Sequence, residues 1–232
     1  EGVYRKMLAG GGVELIEGWA QLDGPHRVKV GGRVLTARHV LIATGSSPVR
    51  DHIPGIEACA TSDDLLDLST LPESVAVIGG GYIAVEFASV LARLGVKVSM
   101  YYRASLPLRG FDEMLRAAAA GHLQAAGIEL HPGVVPQRVQ RTADGFLLVL
   151  GEDRVRGFPW VLNATGRRPN TAGLGLEAAG VAFAPNGSVV ADETMQTTAA
   201  GVYAIGDVTN SKNLTPVAIA AGEQTWLGPH QS

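Results

Sequence analysis

Apolar positions run unbroken through Val75–Ile78, and three glycines follow; from Tyr82 to Leu94 the apolar residues then recur every three or four positions. They run on again through "VKVSMYY". A strand buried on both faces gives the continuous run, and a helix with one buried face gives the longer period. The pattern therefore predicts strand, glycine turn, helix and strand in succession. Beyond it, Phe111–Ala126 reads as an alanine-rich helix stopped by Gly127, and "IELHPG" as the next strand. "VVPQRVQRTADG" and "FLLVLGED" predict an antiparallel excursion turning at Asp144-Gly145, and "WVLNATG" is another buried strand ending at Gly166.

The flanks have a different rhythm. Residues 1–12 predict a short helix ended by Gly10-Gly11-Gly12. "VELIEGWAQL", "HRVKVGG" and "RVLTARHVLIAT" alternate apolar and polar residues in the strand period, with a Gly-Gly turn between the last two. "GSSPVRDHIPG" then carries two prolines and two glycines and reads as a crossing between domains. A short helix at Ser62–Leu68 precedes Pro72, and the breaker-rich "RRPNTAGLGLEAAG" follows Gly166. The chain continues with strands in "SVVADE" and "GVYAIGDV" and a helix from Pro216 to about Thr225. A self-contained block at about 72–166 thus sits between two flanks, each ending a strand in a glycine-bearing turn, "IATG" and "AIGD". The expected class is α/β: a Rossmann-like βαβ domain with an antiparallel excursion, inserted into part of a second Rossmann-like domain.

Three positions carry the first chemistry. Gly79, Gly81 and Ala84 form a GxGxxA fingerprint between a strand and a helix. Gly79 permits the tight turn, Gly81 lets the backbone approach a pyrophosphate, and Ala84 keeps helix and strand close. The diphosphate would rest on unpaired amides at the positive end of the helix. "AGGG" at 9–12 lacks a preceding strand and carries no such reading. An acid after the second strand would hold a ribose hydroxyl and repel a 2′-phosphate, but this chain has Tyr101, Tyr102 and Arg103 there, with Arg109 following. A planar guanidinium fork suits that phosphate, so NADP is expected over NAD. Tyr82 and Glu86 lie in the first turns of the same helix, where composition does not separate catalytic from structural roles. Asp207 ends an apolar strand beside a glycine, placing a carboxylate where sugar hydroxyls bind in α/β folds, or simply forming a turn.

Composition removes other classes. No window reaches the ~18 consecutive apolar residues of a membrane span, and "EGVYRKMLAG" lacks the layout of a secretory signal. A formal charge of −3 gives no footprint for nucleic acid. The lone Cys59 excludes an internal disulfide, and the six histidines show no metal-binding spacing, so no metal is expected. A soluble cytoplasmic protein is the expectation. The sequence opens without methionine and closes on "GEQTWLGPHQS", a helical pattern with no following element, so an incomplete chain is expected as well.

In order and with little insertion, "HVLIATGSSP", "GGGYIAVEFASVLARLG", "YRASLPLRGFDE", "NATGRRPNT", "LEAAGV", "GVYAIGDVTN" and "NLTPVAIAAG" closely resemble the pyridine nucleotide-disulfide oxidoreductases, and within them the glutathione reductase type. The likeness runs from near residue 4 to about 222. It implies an NADPH-binding domain at 51–168 and an FAD-binding domain split between 1–50 and 169–232. Gly80, Ile83, Glu86, Arg103, Arg109 and Gly166 map onto the family's NADPH contacts. Tyr82 maps onto the aromatic that covers the flavin, and Glu86 onto the acid that helps organise hydride transfer. Thr44, Gly45, Asp207 and Thr215 map onto FAD contacts.

The resemblance implies an oxidoreductase in which NADPH reduces FAD, FAD reduces a cysteine pair, and the dithiol reduces glutathione disulfide with a histidine acid from a partner subunit in a homodimer. The chain departs from this pattern: it has no paired redox cysteines, no first FAD glycine fingerprint and no C-terminal dimerisation region, and Cys59 lies in the wrong segment. This chain alone is therefore expected not to reduce a disulfide and to hold flavin weakly or not at all. The alternatives are a trypanothione-, mercuric- or dihydrolipoamide-type member, the last of which would carry an acid after the second strand, or a truncated NADPH-binding module without turnover.

Overall fold

The computed structural model describes residues 2–152, 154–209 and 213–227. The end of the "EQTWLGPHQS" tail, residues 228–232, lies outside them. The chain divides into two compact units, residues 48–167 and residues 1–47 with 168–232. In chain order the first flank holds α1 (Gly2–Gly10), β1 (Gln21–Leu22), β2 (Arg27–Val30), β3 (Arg33–Thr36), β4 (Val40–Ile42) and β5 (Ser46–Pro48). The central unit holds α2 (Ser62–Leu66), β6 (Ser74–Ile78), α3 (Tyr82–Arg93), β7 (Lys97–Tyr102), α4 (Glu113–Ala125) and β8 (Glu129–Pro132). It goes on with β9 (Arg138–Thr142), β10 (Gly145–Gly151), β11 (Arg154–Phe158) and β12 (Trp160–Asn163). Beyond it come β13 (Arg167–Pro169), β14 (Val202–Ala204) and α5 (Thr215–Leu227).

Four parallel strands in the order β12-β6-β7-β8 make the central sheet of unit 48–167. Alternate residues of each strand face opposite sides. Val75 and Val77 pack with Ala84, Ala88 and Leu91 of α3 and Leu123 of α4. Their neighbours Ala76 and Ile78 pack the other way, against Val139, Phe146, Leu148 and Phe158 of the antiparallel sheet β11-β10-β9. This is why both faces of β6 are apolar and why the run is continuous. The sheet reverses its strand order at β6, with β7 on one side and β12 on the other, so a crevice opens beyond its carboxyl end.

In the flanking unit, β4 and β14 pair in parallel, Val40 opposite Val202, and their buried residues pack with Leu176, Val181, Val189 and Val208. β1, β2 and β3 form a separate antiparallel sheet. Two expected strands are reduced here. Of "VELIEGWAQL" only Gln21–Leu22 is a strand: Val13 and Leu15 are about half exposed, so the alternation buries no face. "SVVADE" contributes isolated bridges through Val189 and Ala191. β11, "RVRGF", was not anticipated, because its outward charges and glycine hide a strand that pairs along one edge of β10. Among the described residues no helix is long and apolar enough to cross a membrane.

Candidate dinucleotide site

Gly79 leaves β6 with φ +134, a backbone that only glycine adopts without strain, and a Cβ there would collide with the carbonyl oxygen of Ala164. Its amide donates to Tyr101 O at 2.9 Å. Gly80 packs on Tyr102, where an added Cβ would lie 2.9 Å from the tyrosine Cβ. Gly81 differs from both. It is extended (φ −79, ψ −179), caps α3, and faces open space. No side chain caps α3, and its first turn presents the positive end of the helix dipole. Ala84, one turn in, is fully buried against the sheet.

The loop after β7 is fastened to this turn. Leu108 N donates to Gly80 O at 2.6 Å, and Arg116 of α4 donates to the carbonyls of Leu106 (2.9 Å) and Pro107 (2.8 Å). Leu108 holds φ +55, and Asp112 caps α4 by accepting from Met114 N at 2.9 Å. This scaffold displays Arg103 and Arg109, both exposed and both without a hydrogen bond or ion pair among the described residues. The two arginines line one cavity of about 420 Å³ with Gly79, Gly80 and Gly81. The volume falls in the range of small-molecule sites. Tyr101, Tyr102, Leu106, Val135, Thr165 and His52 complete much of the wall, and no lining residue is acidic. Open glycine, a helix N-terminus without a side-chain cap, and guanidinium groups unpaired among the described residues fit a phosphorylated dinucleotide.

Four further candidates do not line this cavity. Tyr82 is 39% exposed and Glu86 is exposed, both on α3, while Ile83 is half-buried. Gly166 is exposed, and its carbonyl accepts from Val49 N at 3.0 Å. The turn before it is shaped by buried Asn163, which donates to Val49 O at 2.8 Å and accepts from Thr165 Oγ1 at 2.7 Å. Sequence reasoning missed the polar cluster around Tyr101, itself a lining residue of the cavity. Tyr101 is fully buried and stacks on His131 with ring centroids 4.4 Å apart. Burial pushes its phenol up from the ordinary range. Glu129 accepts from Ser99 Oγ at 2.7 Å and from Arg156 at 2.9 and 3.0 Å. Burial alone would raise its carboxyl, but these bonds outweigh it and hold the group below the usual range.

In the other unit, the parallel strands β4 and β14 bring their carboxyl ends together, with Ile205 N donating to Ile42 O at 3.0 Å. Thr44 and Gly45 follow one strand and Asp207 the other, and Ser46 Oγ donates to Asp207 Oδ2 at 2.9 Å. Gly45, at φ +69, also faces open space. The fastener is a residue that sequence reasoning left unassigned. Asn170 donates through Nδ2 to Thr44 O at 2.9 Å, accepts from Ser47 Oγ at 2.7 Å, and donates its amide to Gly45 O at 2.9 Å. Its place in "RRPNT" was the only signal. Thr215 opens α5 and is exposed, and α5 packs through Ala218 on the Gly206 turn. Cys59 is buried, and its thiol is pushed up to about 12, chiefly by that burial.

A Rossmann-like domain with a glycine-turn cavity, interrupting a second set of parallel strands, has the architecture of dinucleotide-binding folds. The chain belongs to the pyridine nucleotide-disulphide oxidoreductase family, whose model matches residues 1–222. It is 45% identical over 222 residues to glutathione reductase of Burkholderia cepacia, covering 96% of this chain and 49% of that protein. It is 42% identical to the chloroplastic/mitochondrial glutathione reductase of Pisum sativum, with 95% and 40% covered. Among solved structures, the HOCl-induced flavoprotein disulfide reductase RclA from Escherichia coli, as its Cu(II) complex, superposes with a TM-score of 0.87 at 30% identity. That alignment covers 95% of this chain and 51% of the other. The chain spans about half the length of the curated relatives it matches. FAD and NADPH are the cofactors of the glutathione reductase family.

Proposed function

We propose that this chain is the nucleotide-binding part of an NADPH-dependent flavoprotein disulfide reductase of the glutathione reductase type. One observation carries the reading. Arg103 and Arg109 stand unpaired in the cavity of the glycine turn, where no acidic side chain lines the wall. In this reading unit 48–167 holds NADPH, with the diphosphate at Gly81 and the first turn of α3 and the 2′-phosphate between the two guanidinium groups. Thr44, Gly45, Asp207 and Thr215 hold parts of FAD, and Asn170 sets the shape of the turn that carries the first two. When bound, nicotinamide and flavin supply the hydride chemistry. Tyr82 and Glu86 then belong to the face of α3 near the site of transfer, with Tyr82 shielding it and Glu86 organising it. Residues outside this chain supply the redox cysteine pair and the acid histidine, since Cys59 is solitary and buried with its thiol raised. Glutathione disulfide as substrate is supported by the identity to glutathione reductases, and a homodimeric assembly and a cytoplasmic setting complete the proposal.

Titration of the chain with NADPH and NADH tests the nucleotide reading. Arg103→Ala is expected to cost roughly tenfold to a hundredfold in NADPH affinity, the range of one charge-assisted hydrogen bond, and to leave NADH binding little changed. Equal affinity of the unaltered chain for both nucleotides, or parallel losses in the variant, would refute the assignment.

A further inference from the structure

The cavity of the glycine turn and the two arginines has another wall, made by segments remote in sequence. His52 and Ile53 reach it from the segment that enters the unit, and Val135 from the connection between β8 and β9. Both supports are fixed. Val139 N donates to Pro54 O at 2.8 Å, and Ile56 N to Ile53 O at 3.0 Å. Gly55, at φ +85, lies so close on β9 that a Cβ would collide with Val139 O. Arg50 ties the following residues by donating to the carbonyls of Glu57 (3.1 Å) and Cys59 (3.4 Å). On the Val135 side, Gly133 N donates to Ala104 O at 3.2 Å. Ile53 is accordingly buried, and His52 stands exposed beside it, with Val135 40% exposed.

An imidazole and two branched aliphatic side chains on a rigid backbone form a surface for a flat, weakly polar ring rather than for a phosphate. If the diphosphate lies at Gly81 and the 2′-phosphate at Arg103 and Arg109, the base on that same ribose faces this wall across the cavity from Leu106 and Ala104 of the arginine loop. We infer that His52, backed by Ile53 and Val135, is the adenine-recognition residue of the cavity. The inference rests on the NADPH reading above. Because NADPH and NADH share the adenine, His52 sets the affinity for both, whereas the arginines set the difference between them.

The test is calorimetric titration of the full chain with NADPH, NADH and 2′,5′-ADP, which keeps the adenosine and both its phosphates without the nicotinamide. Loss of base stacking on an aromatic ring predicts that His52→Ala weakens all three by a similar factor, roughly fivefold or more. His52→Phe, which keeps a ring, recovers most of the loss, and thermal unfolding of both variants matches the unaltered chain because the side chain is exposed. Unchanged affinities in His52→Ala would overturn the inference, as would a loss confined to NADPH and 2′,5′-ADP, which puts the imidazole at the phosphate instead. Failure of the underlying NADPH reading looks different: the unaltered chain itself would not bind 2′,5′-ADP and would not prefer NADPH, and the inference would fall with it.

Discussion

Alanine at Gly81 separates what the glycine turn does for folding from what it does for a ligand. The backbone there is extended (φ −79, ψ −179), and a new Cβ meets nothing within 4 Å. Neither strain nor overlap arises, so stability changes by about 1 kcal/mol at most, the scale of a helix N-cap substitution. The methyl group nonetheless projects into the cradle at the start of α3, where a diphosphate oxygen must come within ~2.9 Å of an amide nitrogen. Losing one such charge-assisted bond weakens NADPH and NADH alike, roughly tenfold to a hundredfold. Gly79→Ala is the counterpart. Its φ of +134 costs a non-glycine residue about 1–3 kcal/mol. The collision with Ala164 O adds overpacking of about 1–3 kcal/mol more. Urea unfolding and nicotinamide-fluorescence titration of both variants check the contrast. If Gly81→Ala bound nucleotide as the unaltered chain does, or lost as much stability as Gly79→Ala, the division of labour would be wrong.

In the flanking unit, Asn170→Ala removes the bonds to Thr44 O and Ser47 Oγ and is expected to destabilise that unit by about 1–3 kcal/mol. An unchanged urea midpoint would show that the turn holds without it. Cys59 gives a pH dependence. Its thiol is raised from the ordinary 9.0 to about 12, first by burial and then by Glu57. Below pH 9 both folded and unfolded states keep the proton. Above it the unfolded chain ionises while the folded chain does not, so stability declines as pH rises from about 9 towards 12. Cys59→Ala should flatten that alkaline decline, and an identical profile would mean that other groups cause it.

What could be read from the sequence was whatever depends on neighbours along the chain. The helix expected at Tyr82–Leu94 is Tyr82–Arg93, and the strand expected in "VKVSMYY" is Lys97–Tyr102, because burial on two faces and on one face write different periods. The placement of Arg103 and Arg109 beside the glycine turn was legible for the same reason, since their distance from the end of β7 is short and covalent. His52, Val135 and Asn170 were not. Each meets its neighbours at the cavity or turn from a segment far away in sequence, and "GSSPVRDHIPG" shows breakers without showing that β9 will pin them. Polar alternation likewise misled at Val13 and Leu15, where a strand pattern has no ladder to join.

The bonds from Val49 N to Gly166 O and from Asn163 Nδ2 to Val49 O close the two ends of the central unit on each other. While residues 48–167 are unfolded, bringing Val40–Ile42 alongside Val202–Ala204 means closing a very long loop, at a large entropic cost. Once they have condensed, that loop shrinks in effect to residues 43–47 and 168–201, and the parallel strands meet at an entropic cost lower by about 1 kcal/mol. By that margin, closure favours assembly with the guest first and the host afterwards.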